Sequence, residues 1–235
     1  MAPPPFERAV SYGPYQGRMR EAIHALKYEG LRALTGSLGG MLAIAIARLQ
    51  ADMPDELLVV PVPLHRSKYA QRGFNQARAL AQAALDELSR AHPLWRLHLA
   101  PEALLRQRAT PSQAGLTPRQ RRMNMKDAFA VRDAGRVAGA HVLLIDDILT
   151  TGATARSAAK ALLGAGAASV RVATLARAYR VADTRYDAGL KEFETNPAHA
   201  PRDFFASVFS SAPGSTGSGL LHEELHDSSH HQSSF

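Results

Sequence analysis

The chain has no cysteine. That excludes disulfides, thiolate zinc sites and cysteine nucleophiles together. It has one tryptophan, and aromatic residues make up only 6% of it, too few for a surface built mainly on ring stacking. No window holds about 18 uninterrupted apolar residues, the length a spanning helix needs. The richest stretch, Leu38 to Leu49, carries Arg48 and reads as a core helix. Met1 to Phe6 is proline-rich and lacks an apolar signal core behind a basic start. No membrane insertion is expected, and the cytoplasm is the expected location. No internal repeat is found. What is present is a globular composition: 235 residues, 46% hydrophobic, enough to bury one core or one and a half.

Charge is unevenly spread. The formal net charge is +7, but residues 1–182 carry 25 basic and 13 acidic side chains, and residues 183–235 carry 3 and 8. Residues 60–126 hold 12 basic against 3 acidic. Such a stretch attracts polyanions: phosphate esters, pyrophosphate or nucleic acid. A solvated arginine-rich face is the alternative. Single-strand binders normally add stacking platforms, and Tyr69, Phe74 and Trp95 are the only aromatics in this stretch.

Along the chain, Met19, Ile23 and Leu26 fall at helical spacing and predict an amphipathic helix over 16–28. A second helix is expected over 31–50. Leu57 to Val62 reads as a buried parallel strand. Residues 63–75 read as a basic loop and 75–90 as a third helix. Residues 104–117 read as a long loop, a candidate lid. Thr117-Pro118 starts a basic helix running to about Met125. The clearest unit follows. His141–Ile145 is an apolar strand, Asp146–Gly152 a turn, 153–163 a helix ended by Gly164 and Gly166, and Ser169–Leu175 a second strand. That is a βαβ unit and implies a parallel sheet. Ligands of such sheets bind at the carboxyl ends of the strands. The expected division is a short lead (1–14), one domain (15–180) and a disordered Ser/Gly/His-rich tail (181–235).

The chemistry concentrates in Asp146-Asp147-Ile148-Leu149-Thr150-Thr151-Gly152-Ala153-Thr154. Two carboxylates end a buried strand; hydroxyls and a glycine lead into a helix. Backbone N–H groups of such a turn, with the helix dipole behind them, cradle a phosphate. Carboxylates beside that cradle make sense if they accept hydrogen bonds from sugar hydroxyls, or hold a Mg²⁺ that bridges to phosphate. A ribose 5-phosphate unit matches both halves.

This stretch resembles the motif by which type I phosphoribosyltransferases bind 5-phosphoribosyl 1-pyrophosphate (PRPP). The resemblance narrows to the ComF (GntX-like) family, linked to natural DNA uptake in bacteria. It is carried by Leu26-Lys27-Tyr28-Glu29-Gly30, Val60-Pro61-Val62-Pro63-Leu64, Arg72-Gly73-Phe74-Asn75-Gln76-Ala77, Thr110 with Gln113, Arg122 with Asn124, and Asp127-Ala128-Phe129, covering about residues 10–178.

The resemblance implies an α/β fold: a type I phosphoribosyltransferase-like parallel sheet flanked by helices, with an N-terminal helical segment or hood. It implies PRPP with Mg²⁺ as ligand, the metal reached through water or PRPP. Single-stranded DNA and DNA-uptake proteins are the further partners it suggests. Asp146 and Asp147 then take the ribose hydroxyls as the catalytic pair. Thr150, Thr151, Gly152, Ala153 and Thr154 hold the 5-phosphate, and Arg66, Lys68 and Arg72 are the pyrophosphate candidates. Lys27 is either a partner of its helix dipole or a ligand group. Whether turnover occurs is open: a small-molecule phosphoribosyltransferase and a non-catalytic PRPP sensor are the alternatives. Family members often begin with a four-cysteine zinc ribbon; with no cysteine here, no such site is carried over. The His222-Glu223-Glu224-Leu225-His226 match to H-E-x-x-H reads as chance in a His-rich tail.

Overall fold

Strands that are apolar on both faces need helices on both sides, and this rule organises the molecule. The computed structural model describes residues 3–29, 32–108, 117, 120, 123, 125 and 127–178. The tail at 181–235, with its H-E-x-x-H match, lies outside the described residues, as do residues 109–116 of the expected lid. In chain order the strands and α-helices are β1 (Arg8–Pro14), α1 (Gly17–His24), α2 (Leu34–Ala47), β2 (Glu56–Pro61), α3 (Arg66–Arg72), α4 (Gln76–Ala91), β3 (Arg96–Leu99), β4 (Leu104–Arg106), β5 (Phe129–Val131), α5 (Ala134–Val137), β6 (His141–Leu149), α6 (Ala153–Gly164) and β7 (Ser169–Arg177). A π-helical turn, Ala25–Glu29, continues α1.

Five strands form one parallel sheet in the order β1-β7-β6-β2-β3. From β2 the chain moves outward to β3; from β6 it moves the other way to β7. The strand order therefore reverses between β2 and β6. In open α/β sheets the carboxyl ends of the two strands at such a reversal form the crevice where ligands bind. Helices α2 and α4 pack on each other and on one face of the sheet; α6 packs on β6 and β7 and against β5. Val142, Leu144, Val170 and Val172 join Ala155, Ala158 and Leu162 of α6 in one buried cluster. Alternation along β6 then turns Leu143 and Ile145 to the α2/α4 side. The same alternation later sorts the two aspartates.

Several elements differ from the sequence reading. β6 runs on through the acidic pair to Leu149, held by β7 pairing that extends to Leu149↔Arg177; only Thr150 to Gly152 remains as turn. The basic segment 63–75 contains a helix, α3, which has no buried residue and so no apolar period to betray it. Residues 104–106 are strand, paired antiparallel with β5. β1, an edge strand of part-buried residues, adds to the sheet a segment the pattern does not mark. Thr117 Oγ1 accepts from the Gln120 N–H and Gln120 Oε1 accepts from the Thr117 N–H. This reciprocal pair is a capping box and fits the expected helix start. Among the described residues, no helix is long and apolar enough to cross a membrane.

Helices α2 and α4 approach so closely that a Cβ on Gly39 would run into Ala83. A Cβ on Gly40 would meet nothing within 4 Å. Gly39→Ala is expected to destabilise the fold by about 1–3 kcal/mol through overpacking. Gly40→Ala is expected to be neutral or to stabilise by up to about 1 kcal/mol through helix propensity. Urea unfolding of the two variants checks the contrast.

Candidate functional site

Two segments flank the crevice between β2 and β6. After β6, Gly152 adopts φ +70° and starts α6; no side chain caps this helix. A Cβ there would meet nothing closer than 3.8 Å, so the glycine answers to backbone conformation and not to crowding. Thr151 Oγ1 is buried with no hydrogen-bond partner. An uncapped helix start beside an unsatisfied buried hydroxyl is a place where an anion would be welcome. Thr150 is exposed, Thr151 and Thr154 are part-buried, and Ala153 is buried.

After β2, Val62 extends the ladder by donating to Ile145 O at 2.8 Å. His65 caps α3 through Nδ1, which accepts from the Ser67 N–H at 3.3 Å. Gly73 ends α3 in the left-handed conformation at φ +72°. Asn75 then does two jobs. Its Oδ1 accepts from the Ala77 and Arg78 N–H groups, capping α4, and its Nδ2 donates to Val62 O at 3.1 Å. The R-G-F-N-Q stretch thus ends one helix, starts the next and ties it to the carboxyl end of β2.

Strand alternation separates the two carboxylates. Asp147 shares the face of Leu143 and Ile145 and turns toward the α2/α4 side. There its Oδ2 takes Lys27 Nζ at 2.8 Å and Gln76 Nε2 at 2.9 Å. Burial by itself would lower the Lys27 pKa; the charge and hydrogen bond of Asp147 outweigh it and raise Lys27 above its ordinary value. Asp146 turns to the α6 side. Its Oδ1 accepts from the Asp147 N–H at 2.9 Å. Burial first, and then the neighbouring charge of Asp147, push its carboxyl up to about 7, against the opposing pull of Lys27 and Arg106.

Facing this pair is a group of cations. The Lys68 pKa is lowered by burial and then by Arg106, Arg72 and Lys27 around it. Arg106, on β4, is pushed down by burial and back up by Asp146. Its guanidinium lies 5.6 Å from the Phe129 ring. Arg72 sits in the last turn of α3, its guanidinium 5.1 Å from the Tyr28 ring. A part-buried lysine with three cations around it stands where negative charge is short. Lys68 and Arg72 are therefore brought together with the acidic pair. Arg66 is exposed and lines a wide groove of about 1070 Å³, which Arg106 lines as well.

That groove also carries Arg32, Arg78, Arg132, Tyr69 and Phe74, with Glu102 as its one carboxylate among the described residues. Glu102 reaches Arg78 at 3.6 Å and Arg132 at 3.5 Å. Arg32 lies over Phe74 at 4.8 Å. Trp95 is no part of it: the indole is buried and donates to Pro54 O at 3.2 Å.

Sequence reasoning missed Arg106 and Gln76, and left Lys27 between two roles of which neither is the one seen. Lys27 and Gln76 lie within quoted motifs, which was a usable signal. Arg106 gave none, because only the pairing of β4 with β5 places it.

A parallel sheet with an acidic pair and a threonine–glycine turn at its switch point defines a phosphoribosyltransferase-type protein. The family described as phosphoribosyl transferase domain matches residues 99–200. The "DNA utilization protein YhgH" of Escherichia coli (strain K12) is 35% identical over 180 residues, 74% of each chain. "Competence protein F" of Haemophilus influenzae is 29% identical over 180 residues, 74% of this chain and 75% of its own. "Competence protein ComFC" of Bacillus subtilis is 30% identical over 164 residues, 69% of this chain and 61% of its own. The chain belongs to the ComF family of phosphoribosyltransferase-type proteins.

Asp146 generates a prediction. Its folded-state value, about 7, lies above the ordinary 3.8. The folded protein therefore holds this proton more tightly than the unfolded chain. The contribution of Asp146 to stability is full below about pH 4 and is lost as pH rises through about 7. Asp146→Asn, which keeps the acceptor for the Asp147 N–H, is expected to be more stable than the parent at pH 8. The advantage is expected to shrink steadily toward pH 4. Urea unfolding across that range reads it directly.

Proposed function

We propose that this chain binds PRPP together with Mg²⁺ in the β2/β6 crevice and acts in the cytoplasm in the handling of incoming single-stranded DNA. The observation that carries the PRPP reading is the pairing of opposites across one crevice. An uncapped helix start and an acidic strand end lie on one side, and Lys68, Arg72 and Arg106 on the other. A ligand with a phosphate at one end, hydroxyls in the middle and a diphosphate at the other satisfies each in turn.

In this reading Thr150 to Thr154 hold the 5-phosphate with backbone N–H groups and hydroxyls. Asp146 accepts from the ribose hydroxyls. Lys68, Arg72 and Arg106 hold the diphosphate. The residues do not form a resident metal site. Asp147 Oδ2 is already taken by Lys27 and Gln76, and among the described residues no three His, Asp or Glu side chains converge as metal ligands. They fit an ion whose ligands come mainly from PRPP itself, with Asp146 beside it. Such an ion neutralises diphosphate charge. The chemistry available is displacement at the anomeric carbon. The bond to the diphosphate oxygen breaks, the cations stabilise the departing charge, and an acceptor nucleophile takes its place. No acceptor is assigned.

The DNA reading rests on the wide groove and on the printed names of the relatives. Its arginines answer phosphates, and Tyr69 and Phe74 stand among them as faces for bases. Tyr69 is 53% exposed, so one ring face is available without rearrangement.

Calorimetric titration of Mg²⁺·PRPP into the full chain tests the first part. Micromolar binding is expected, weakened at least tenfold in Arg72→Ala. Absence of binding by the parent chain would sink the reading. Fluorescence titration with a labelled oligothymidylate at several salt concentrations tests the second part. Replacing Arg66, Arg78 and Arg132 with alanine is expected to flatten the log–log salt dependence by about 2, at roughly 0.7 per phosphate contact on a single strand. An unchanged slope would place DNA elsewhere.

A further inference from the structure

We propose that Lys27 is a positioning residue of this site: with Gln76 it fixes the Asp147 carboxylate on the α2/α4 side, so that Asp146 alone of the pair meets the ligand. The proposal rests on the PRPP reading for what the ligand is, but its geometry stands without it. Lys27 Nζ and Gln76 Nε2 both reach the same oxygen, Asp147 Oδ2. The side chains of Lys27 and Asp147 are 16% and 7% exposed. Replacing such a buried ion pair with apolar side chains is often neutral or stabilising, so stability alone does not account for one kept at the mouth of a crevice. Gln76 is itself buried and is oriented by the start of α4, which Asn75 caps and ties to β2.

The backbone is shaped to deliver the lysine. The turn Ala25–Glu29 is π-helical, a form that tends to occur at functional positions. Across it Ala25 and Leu26 are buried, the Lys27 side chain reaches Asp147, and Tyr28 is left 61% exposed. Tyr28 is not idle. Its ring lies 4.6 Å from His24 on one side, and the Arg72 guanidinium lies 5.1 Å from its centroid. One five-residue turn therefore pairs with Asp147 through Lys27 and with Arg72 through Tyr28.

Two other roles are open to a lysine here. As a helix-dipole partner it would point along the axis to the last carbonyls, yet its ammonium is turned to Asp147 at 2.8 Å. As a direct ligand group it would need a donor aimed at the crevice, and a rigid pair with Asp147 works against that.

The test uses the full chain and the variants Lys27→Met, Lys27→Arg, Asp147→Asn and Lys27→Met/Asp147→Asn, with Mg²⁺·PRPP as probe and urea unfolding of each without ligand. Lys27→Met is expected to weaken PRPP binding at least tenfold, and Lys27→Arg to restore it to within threefold. In the Asp147→Asn background, removing Lys27 is expected to change affinity less than threefold, because no carboxylate is left to hold. An equal loss in both backgrounds would mean that Lys27 touches the ligand itself and would overturn the proposal. So would unchanged affinity in Lys27→Met, or failure of arginine to rescue. If the parent binds no PRPP, the functional reading falls on its own. The unfolding data then decide the pairing. The double variant is expected to lose less than the sum of the two single losses; strict additivity would overturn it.

Discussion

Adjacent carboxylates repel, and at the end of a buried strand there is little water to screen them. The pleat of β6 relieves this by sending Asp146 and Asp147 to opposite faces. Each face then needs its own answer. On the α2/α4 side the answer is Lys27 and Gln76; on the α6 side it is the approach of Arg106 and a carboxyl that readily keeps its proton. The π-turn after α1, the capped start of α4 and the β4–β5 pairing are the means by which those partners arrive.

The crevice and the groove share the loop after β2 but divide the work. The crevice brings an acidic strand end, an uncapped helix start and several cations together. The groove is wide, arginine-lined and ring-bearing, and suits a longer polyanion bound with less exactness. Proteins that use phosphate recognition for position and stacking for tolerance combine these two surfaces.

Much of this was legible. The apolar run at His141–Ile145, the acidic pair and the T-T-G-A-T turn gave the βαβ unit and the turn into α6, because they are local and backbone-determined. Arg66, Lys68 and Arg72 were legible as members of a basic segment; which of them stand beside the acidic pair depends on α3, which rotates successive side chains by about 100°. What stayed hidden depended on long-range pairing or on a shift of helical phase. Arg106 needs β5, 23 residues on by its pairing with Phe129. Lys27 needs the extra residue of a π-turn, which a 3.6-residue pattern does not anticipate. β1 is part-buried along its whole interior and carries no strong apolar period. Trp95, one of the three aromatics of the basic stretch, is buried, which composition does not report.

The crevice has a consequence for assembly. Gln76 and Asp147 are 71 residues apart in the chain, and Lys27 lies further still from the strand it serves. Ser11 on β1 reaches across 163 residues to Thr174 on β7 at 2.7 Å. Contacts at such separations close late, after the entropy of the intervening loops has been spent. The Lys27–Gln76–Asp147 arrangement therefore depends on the sheet being assembled around it. A ligand that bound only the closed sheet would stabilise it in proportion to the logarithm of its concentration.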